Sequence, residues 1–223
     1  MKDERSGSEI VLDVAACADR PGYSLSGYRA APPRGGGRGV LVVGEQGTIS
    51  ALARDTADRL ARAGFVALAP DVPPSGVAPS DVGLEASVSV LAAGVSALLD
   101  DHAVEGSRLG ALGFARGGVL ALGLAAAQRR VGAAIDFYGL PDDGEAEALR
   151  GLEVPSLLLF GAADGRADAD ALKALASRIP NARLHVEPDA GEGYMDARVP
   201  DRHSAVAAAS GWDRALAFLA ATL

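Results

Sequence analysis

The chain has 223 residues, 49% hydrophobic and 22% charged, with a formal net charge of -8. That length and apolar content fit one globular domain with a sizeable core. The acidic balance, with lysines and arginines scattered rather than clustered, speaks against nucleic acid or an anionic membrane as a partner.

Cys17 is the single cysteine, so no intrachain disulfide can form, which suits a reducing compartment. Residues 1–8 read as a loose polar tail without the apolar stretch of a secretory signal. The apolar runs are all shorter than the ~20 residues a membrane span requires. A cytoplasmic location is the expectation.

"GVLVVG" (39–44) reads as a buried strand by its valines, leucine and glycine boundaries. In "SALARDTADRLARAG" (50–64), Leu52, Ala53, Ala57, Leu60 and Ala61 fall on one helical face, and Gly64 marks a stop. "FVALAPD" (65–71) is the next strand, and "PPSGVAPSDVG" (73–83) a loop. A helix from about Leu84 to Asp101 precedes the strand "RLGALGF" (108–114). A glycine-rich turn then opens a helix to about Gln128, followed by the strand "VGAAIDFYG" (131–139).

The segment 141–155 is an acidic connection, and "SLLLFG" (156–161) a strand. "DADALKALASRIP" (168–180) is a helix, "RLHVEP" (183–188) the last strand, and a helix from about Ser204 closes the chain. Alternating strands and helices with continuous apolar strands imply a mostly parallel sheet with helices on both faces. Ligands of such sheets sit outside the carboxyl ends of the strands. That directs attention to Gly44-Glu45-Gln46, Asp71, Ala115-Arg116, Tyr138-Gly139, Ala163-Asp164 and Gly191-Glu192-Gly193.

"GFARGG" (113–118) has the form of a nucleophile elbow, a sharp strand-to-helix turn that lifts one side chain. With "GVLVVGEQG", "DTADRLARAGFVALAPD", "LLLFGAADG", "EPDAGEGYM" and the closing "AAASGWDRALAFL", it resembles the dienelactone hydrolase family over residues from about 10 to the end. The resemblance implies an α/β-hydrolase fold, one domain over residues 9–223, without a large lid. It matches Glu45 to the family's Glu after the first of these strands, and Asp164 to the triad acid. It places Ala115 where the family has its Cys or Ser nucleophile, and Glu192 where it has the triad His.

A methyl group cannot attack a carbonyl, so covalent catalysis from position 115 is excluded. By the resemblance, the backbone N–H groups of Gln46 and Arg116 would form an oxyanion hole. Arg116 also opens a helix, where an anion is favoured, and its guanidinium either adds a charged donor or pairs with an acid. Glu45, Asp164 and Glu192 would converge, and crowded carboxylates raise at least one pKa, which suits general acid and base work.

Tyr138 and Tyr194, with Phe114 and Met195, read as an apolar wall or as simple packing. His203 is the one candidate for a surviving imidazole near the site. His102, His185 and His203 lack metal-ligand spacing, so neither metal nor other cofactor is expected.

Three readings follow. The favoured one is a repurposed, non-covalent acid/base enzyme (cyclase, dehydratase, isomerase or hydrolase) acting on a small carbonyl-bearing or lactone-like, anionic molecule. The second is an inactive family member, monomer or homodimer, that binds a small ligand or a protein partner. The third is a hydrolase with an engineered Ala115.

Overall fold

The structure, a computed structural model, describes residues 7–14, 23–72 and 83–223. Its elements run β1 (Gly7–Val14), β2 (Tyr23–Ala30), β3 (Gly39–Val43), α1 (Ala51–Arg62), β4 (Val66–Pro70), α2 (Leu84–Asp100), β5 (Leu109–Phe114) and α3 (Arg116–Ala127). The second half continues with β6 (Val131–Phe137), α4 (Asp143–Ala148), β7 (Ser156–Gly161), α5 (Ala169–Arg178), β8 (Ala182–Glu187) and α6 (Ala205–Thr222). All eight strands join one sheet in the order β1-β2-β4-β3-β5-β6-β7-β8. β1 and β2 are antiparallel to each other, and β2 to β4. From β4 through β8 every pairing is parallel.

The central strands show why a parallel sheet forms. Every residue of β3, β5, β6 and β7 is buried. Successive residues of a strand point to opposite faces, so both faces of the sheet are covered. α1 starts at Ser50, whose hydroxyl accepts the Ala53 amide, and it buries the predicted stripe of Leu52, Ala53, Ala57, Leu60 and Ala61. It meets α6 where the Arg59 guanidinium lies 4.0 Å from the centre of the Trp212 ring.

Two departures from the sequence reading concern polar segments. β1 begins at Gly7, two residues inside the stretch read as a tail, and pairs along its whole length with β2. The acidic connection at 141–155 contains α4 and a short 3-10 turn at Leu149–Gly151. α4 is begun by a reciprocal cap, in which the Asp142 side chain accepts the Glu145 amide and Glu145 accepts the Asp142 amide. Cys17 and residues 73–82 of the predicted loop lie outside the described residues.

Candidate active site

The turn at Ala115 is an elbow in geometry as well as in sequence. Ala115 has φ 49° and ψ -122°, a backbone conformation unfavourable for a residue with a Cβ. The turn is held by Ala115 N–H donating to the Phe137 carbonyl at 2.8 Å and by Gly118 N–H donating to the Ala115 carbonyl at 2.9 Å. The backbones are in close contact. A Cβ on Gly113 would lie 2.0 Å from the Gly117 carbonyl oxygen, and one on Gly117 would lie 2.1 Å from that of Gly44.

Gly117 N–H also reaches the Glu45 carbonyl at 3.3 Å, which ties the elbow to the turn after β3. That turn is closed by Gly47 N–H on the Gly44 carbonyl at 2.9 Å. Among the described residues, neither Gln46 nor Arg116 donates its backbone N–H to a protein acceptor. Arg116 is the first residue of α3, where no intrahelical acceptor exists.

Between these turns lies a cavity of about 600 Å³ lined by Glu45, Gln46, Thr48, Ser50, Ala115, Arg116, Arg166, Glu192 and Arg202. It sits at the carboxyl ends of β3 and β5, as expected of a parallel sheet. Glu45, Gln46, Ala115, Arg116 and Glu192 are therefore together as predicted, and Asp164 stands directly behind Arg166.

Arg166 is the residue that sequence reasoning missed. Its Nε donates to Asp164 Oδ1 at 2.9 Å and its Nη2 to Asp164 Oδ2 at 2.7 Å, a two-pronged ion pair. Nη2 also donates to the Tyr138 carbonyl at 2.8 Å. Nη1 lies 2.8 Å from Glu192 Oε1. A carboxylate–guanidinium–carboxylate chain thus runs from the buried Asp164 to the cavity wall. The Arg166 amide donates to Asp164 Oδ1 as well, at 3.2 Å. An Arg two residues past an acid at a strand end is the one local signal that pointed to it.

The carboxyl groups have different environments. Burial alone would push Asp164 up, but the Arg166 fork and amide outweigh it and hold the carboxyl below its usual range. Glu45 is pushed above its usual value, first by burial and then by Asp196 and Glu192, against the pull of Arg202 and Arg198. A third acid, Asp136 of β6, is fully buried beneath the elbow. Its Oδ1 accepts the Gly139 amide at 2.8 Å, and its Oδ2 has no partner among the described residues. Burial raises it well above the ordinary aspartate value, against Gly139 N–H and the Arg166 charge.

Several predicted side chains have partners outside this cavity. The Arg116 guanidinium pairs with Glu145 of α4. It stands at the wall shared with a second, larger cavity of about 750 Å³ between α2, α3 and α4. Tyr138 and Tyr194 do not line the elbow cavity. Both are fully buried, their rings 5.4 Å apart, packed with Phe114 and Phe137. Burial raises both phenols, so they stay protonated. Tyr138, just past β6, and Tyr194, in the loop between β8 and α6, both turn their rings into this aromatic cluster. His203 turns away too, with Nδ1 2.9 Å from the Tyr194 carbonyl. No group of His, Cys, Asp and Glu among the described residues is arranged to hold a metal ion, and no described helix is long and apolar enough to cross a membrane.

The family model for dienelactone hydrolases matches residues 25–223. The chain belongs to the dienelactone hydrolase family. A curated relative, Protein usf of Aquifex pyrophilus, is 26% identical over 220 residues, covering 90% of this chain and 94% of its own. The solved structure of a dienelactone hydrolase from Anabaena variabilis superposes with a TM-score of 0.77 at 20% identity, covering 98% of this chain and 99% of its own. A dienelactone hydrolase-like promiscuous phosphotriesterase from metagenomic libraries gives 0.81 at 22%, covering 97% and 99%. These likenesses establish the fold, an α/β-hydrolase with a mostly parallel eight-stranded sheet. Within it, this dienelactone hydrolase relative carries the elbow with Ala115 at its apex and a Glu192–Arg166 pair beside it.

Proposed function

We propose that this dienelactone hydrolase family member works without a covalent intermediate, as an acid/base enzyme on a small carbonyl-bearing or lactone-like molecule. The observation that carries the reading is the pair Glu45 and Glu192. Both line one cavity at the elbow, but burial and neighbouring carboxylates push the Glu45 carboxyl above its usual range, whereas Glu192 has a guanidinium partner. Two carboxyls in unlike environments suit a proton donor and a proton acceptor.

The substrate oxygen would sit on the Gln46 and Arg116 amides, where the start of α3 favours developing negative charge. Glu192 would take a proton from the carbon next to the carbonyl, or from a water. Glu45 would supply one to the oxygen or leaving group. Arg202, on the same wall, favours an anionic substrate. Isomerisation, dehydration, cyclisation and hydrolysis by activated water all fit this arrangement.

The reading of an engineered hydrolase is weakened by the Arg166–Glu192 pair, because no imidazole stands beside position 115. The binding-protein reading keeps one supporting observation. Glu192 is already engaged by Arg166, and an engaged carboxylate is a weaker base.

Incubating the protein with a small-metabolite extract and following it by mass spectrometry separates these readings. The acid/base reading expects a new product with the parent protein, absent with Glu192→Gln and with Glu45→Gln. A compound retained unchanged by all three proteins overturns it in favour of a binding role. A product formed equally by all three removes both carboxyls from the mechanism.

A further inference from the structure

We infer that Asp164 and Arg166 are positioning residues for Glu192, with a guanidinium standing where an imidazole would link acid and base. The inference rests on the reading of Glu192 as the proton acceptor, but its first test does not depend on turnover.

The geometry is that of a bracket with one fixed end. Asp164 is 4% exposed, and it spends both oxygens on Arg166, through Nε, Nη2 and the backbone amide. The Tyr138 carbonyl takes Nη2 as well. Tyr138 is itself held in a left-handed conformation, φ 49°, by its N–H donating to the Leu159 carbonyl at 2.8 Å. Three of the guanidinium's donor directions are therefore committed to rigid strand ends. The remaining nitrogen, Nη1, meets Glu192.

Glu192 lacks such anchors of its own. It lies between Gly191 and Gly193, the latter with φ 80°, two residues that offer its side chain no packing neighbour in the chain. Its side chain is 32% exposed, against 2% for that of Asp164. A long, half-exposed side chain between two glycines samples several rotamers unless something selects one. A planar guanidinium already locked by Asp164 selects one at low entropic cost.

Other charged groups around this chain set its field. Asp136 lies behind Arg166. Glu45, Arg116 and Arg202 share the cavity wall, and Asp196 and Arg198 act on Glu45 from the segment after Glu192. Among the described residues, Arg166 is the cation in ion-pair contact with Glu192, and so is its handle.

The consequence is that Asp164, which does not touch Glu192, controls it at one remove. The test is side-chain carbon–proton NMR of the full chain, with the Glu192 γ-methylene signals assigned by their loss in Glu192→Gln. In the parent the two γ-protons are expected at distinct shifts, the mark of one rotamer. In Arg166→Met and in Asp164→Asn they are expected to converge to an averaged position. Arg166→Lys, the variant safest for folding, keeps the charge but not the fork, and averaging is expected there too.

A single unaltered Glu192 rotamer in any folded member of this set overturns the inference. On a product found in the extract experiment, Arg166→Met and Asp164→Asn should lower kcat by about tenfold to a hundredfold with little change in KM. If Glu192 is released but kcat is unchanged, the positioning role stands and the acid/base reading fails.

Discussion

Ala115 and Glu192 together decide what chemistry is left at the elbow. Restoring a nucleophile alone supplies a thiol with no imidazole to activate it, since Glu192 faces Arg166 and His203 is turned to the Tyr194 carbonyl. Ala115→Cys is therefore expected to show no gain in 4-nitrophenyl acetate hydrolysis over the parent beyond that of a free thiol. A rate rise saturable in substrate would show that another group serves as base. Asp136 makes a second point at this scale. Its Oδ1 has the Gly139 amide, but Oδ2 is buried without a partner among the described residues, so burial pushes this carboxyl well above the ordinary aspartate value.

Among the helices, α4 shows how one residue can serve two structures. Glu145 closes the cap that starts α4 and pairs with Arg116 at the start of α3. Glu145→Ala removes both contacts, and a loss of about 1 kcal/mol is expected from urea unfolding, since a partly exposed ion pair and one cap each contribute modestly. Hydrogen exchange should rise first over residues 142–149. The central strands were legible because a strand buried on both faces must be apolar throughout, as Val40 to Val43 and Leu157 to Phe160 are. β1 was hidden because it is an edge strand in which Ser8, Glu9 and Asp13 break the apolar run and blur it into a tail. α4 was hidden because its acidic sequence masks the cap at Asp142 and Glu145. The meeting of Glu45, Asp164 and Glu192 was legible only through strand ends taken together with the family resemblance. The Arg166 bridge was not, because the direction of a long side chain between loops leaves no periodic trace.

Over the whole molecule, the buried acids set how stability depends on pH. A carboxyl raised in the folded state binds its proton more tightly there than in the unfolded chain. Folding is then favoured at low pH, and that advantage declines as pH rises above about 4, the unfolded aspartate value. Asp136 and Glu45 both have this sign. Asp164 has the opposite one, with stability present at neutral pH and lost as pH falls below about 4. Above the unfolded carboxylate values the first pair governs, so Tm should fall as pH rises through their raised folded values. Asp136→Asn, which keeps an acceptor for Gly139 N–H, should flatten that fall. An equally steep Tm profile in the variant would mean that Asp136 ionises readily where it sits.

The backbone of Ala115 has a last consequence, for the history of the molecule rather than its chemistry. A turn with φ 49° and ψ -122° costs about 1–3 kcal/mol in a residue with a Cβ. The usual return on that strain is an exposed nucleophile, and here there is none. Ala115→Gly should relax the turn and raise stability by about 1 kcal/mol by calorimetry, net of the freedom glycine adds to the unfolded chain. On the proposed acid/base reading the bend is kept for the Arg116 amide that it presents at the start of α3, and the same variant, still presenting it, should retain whatever ligand the parent holds.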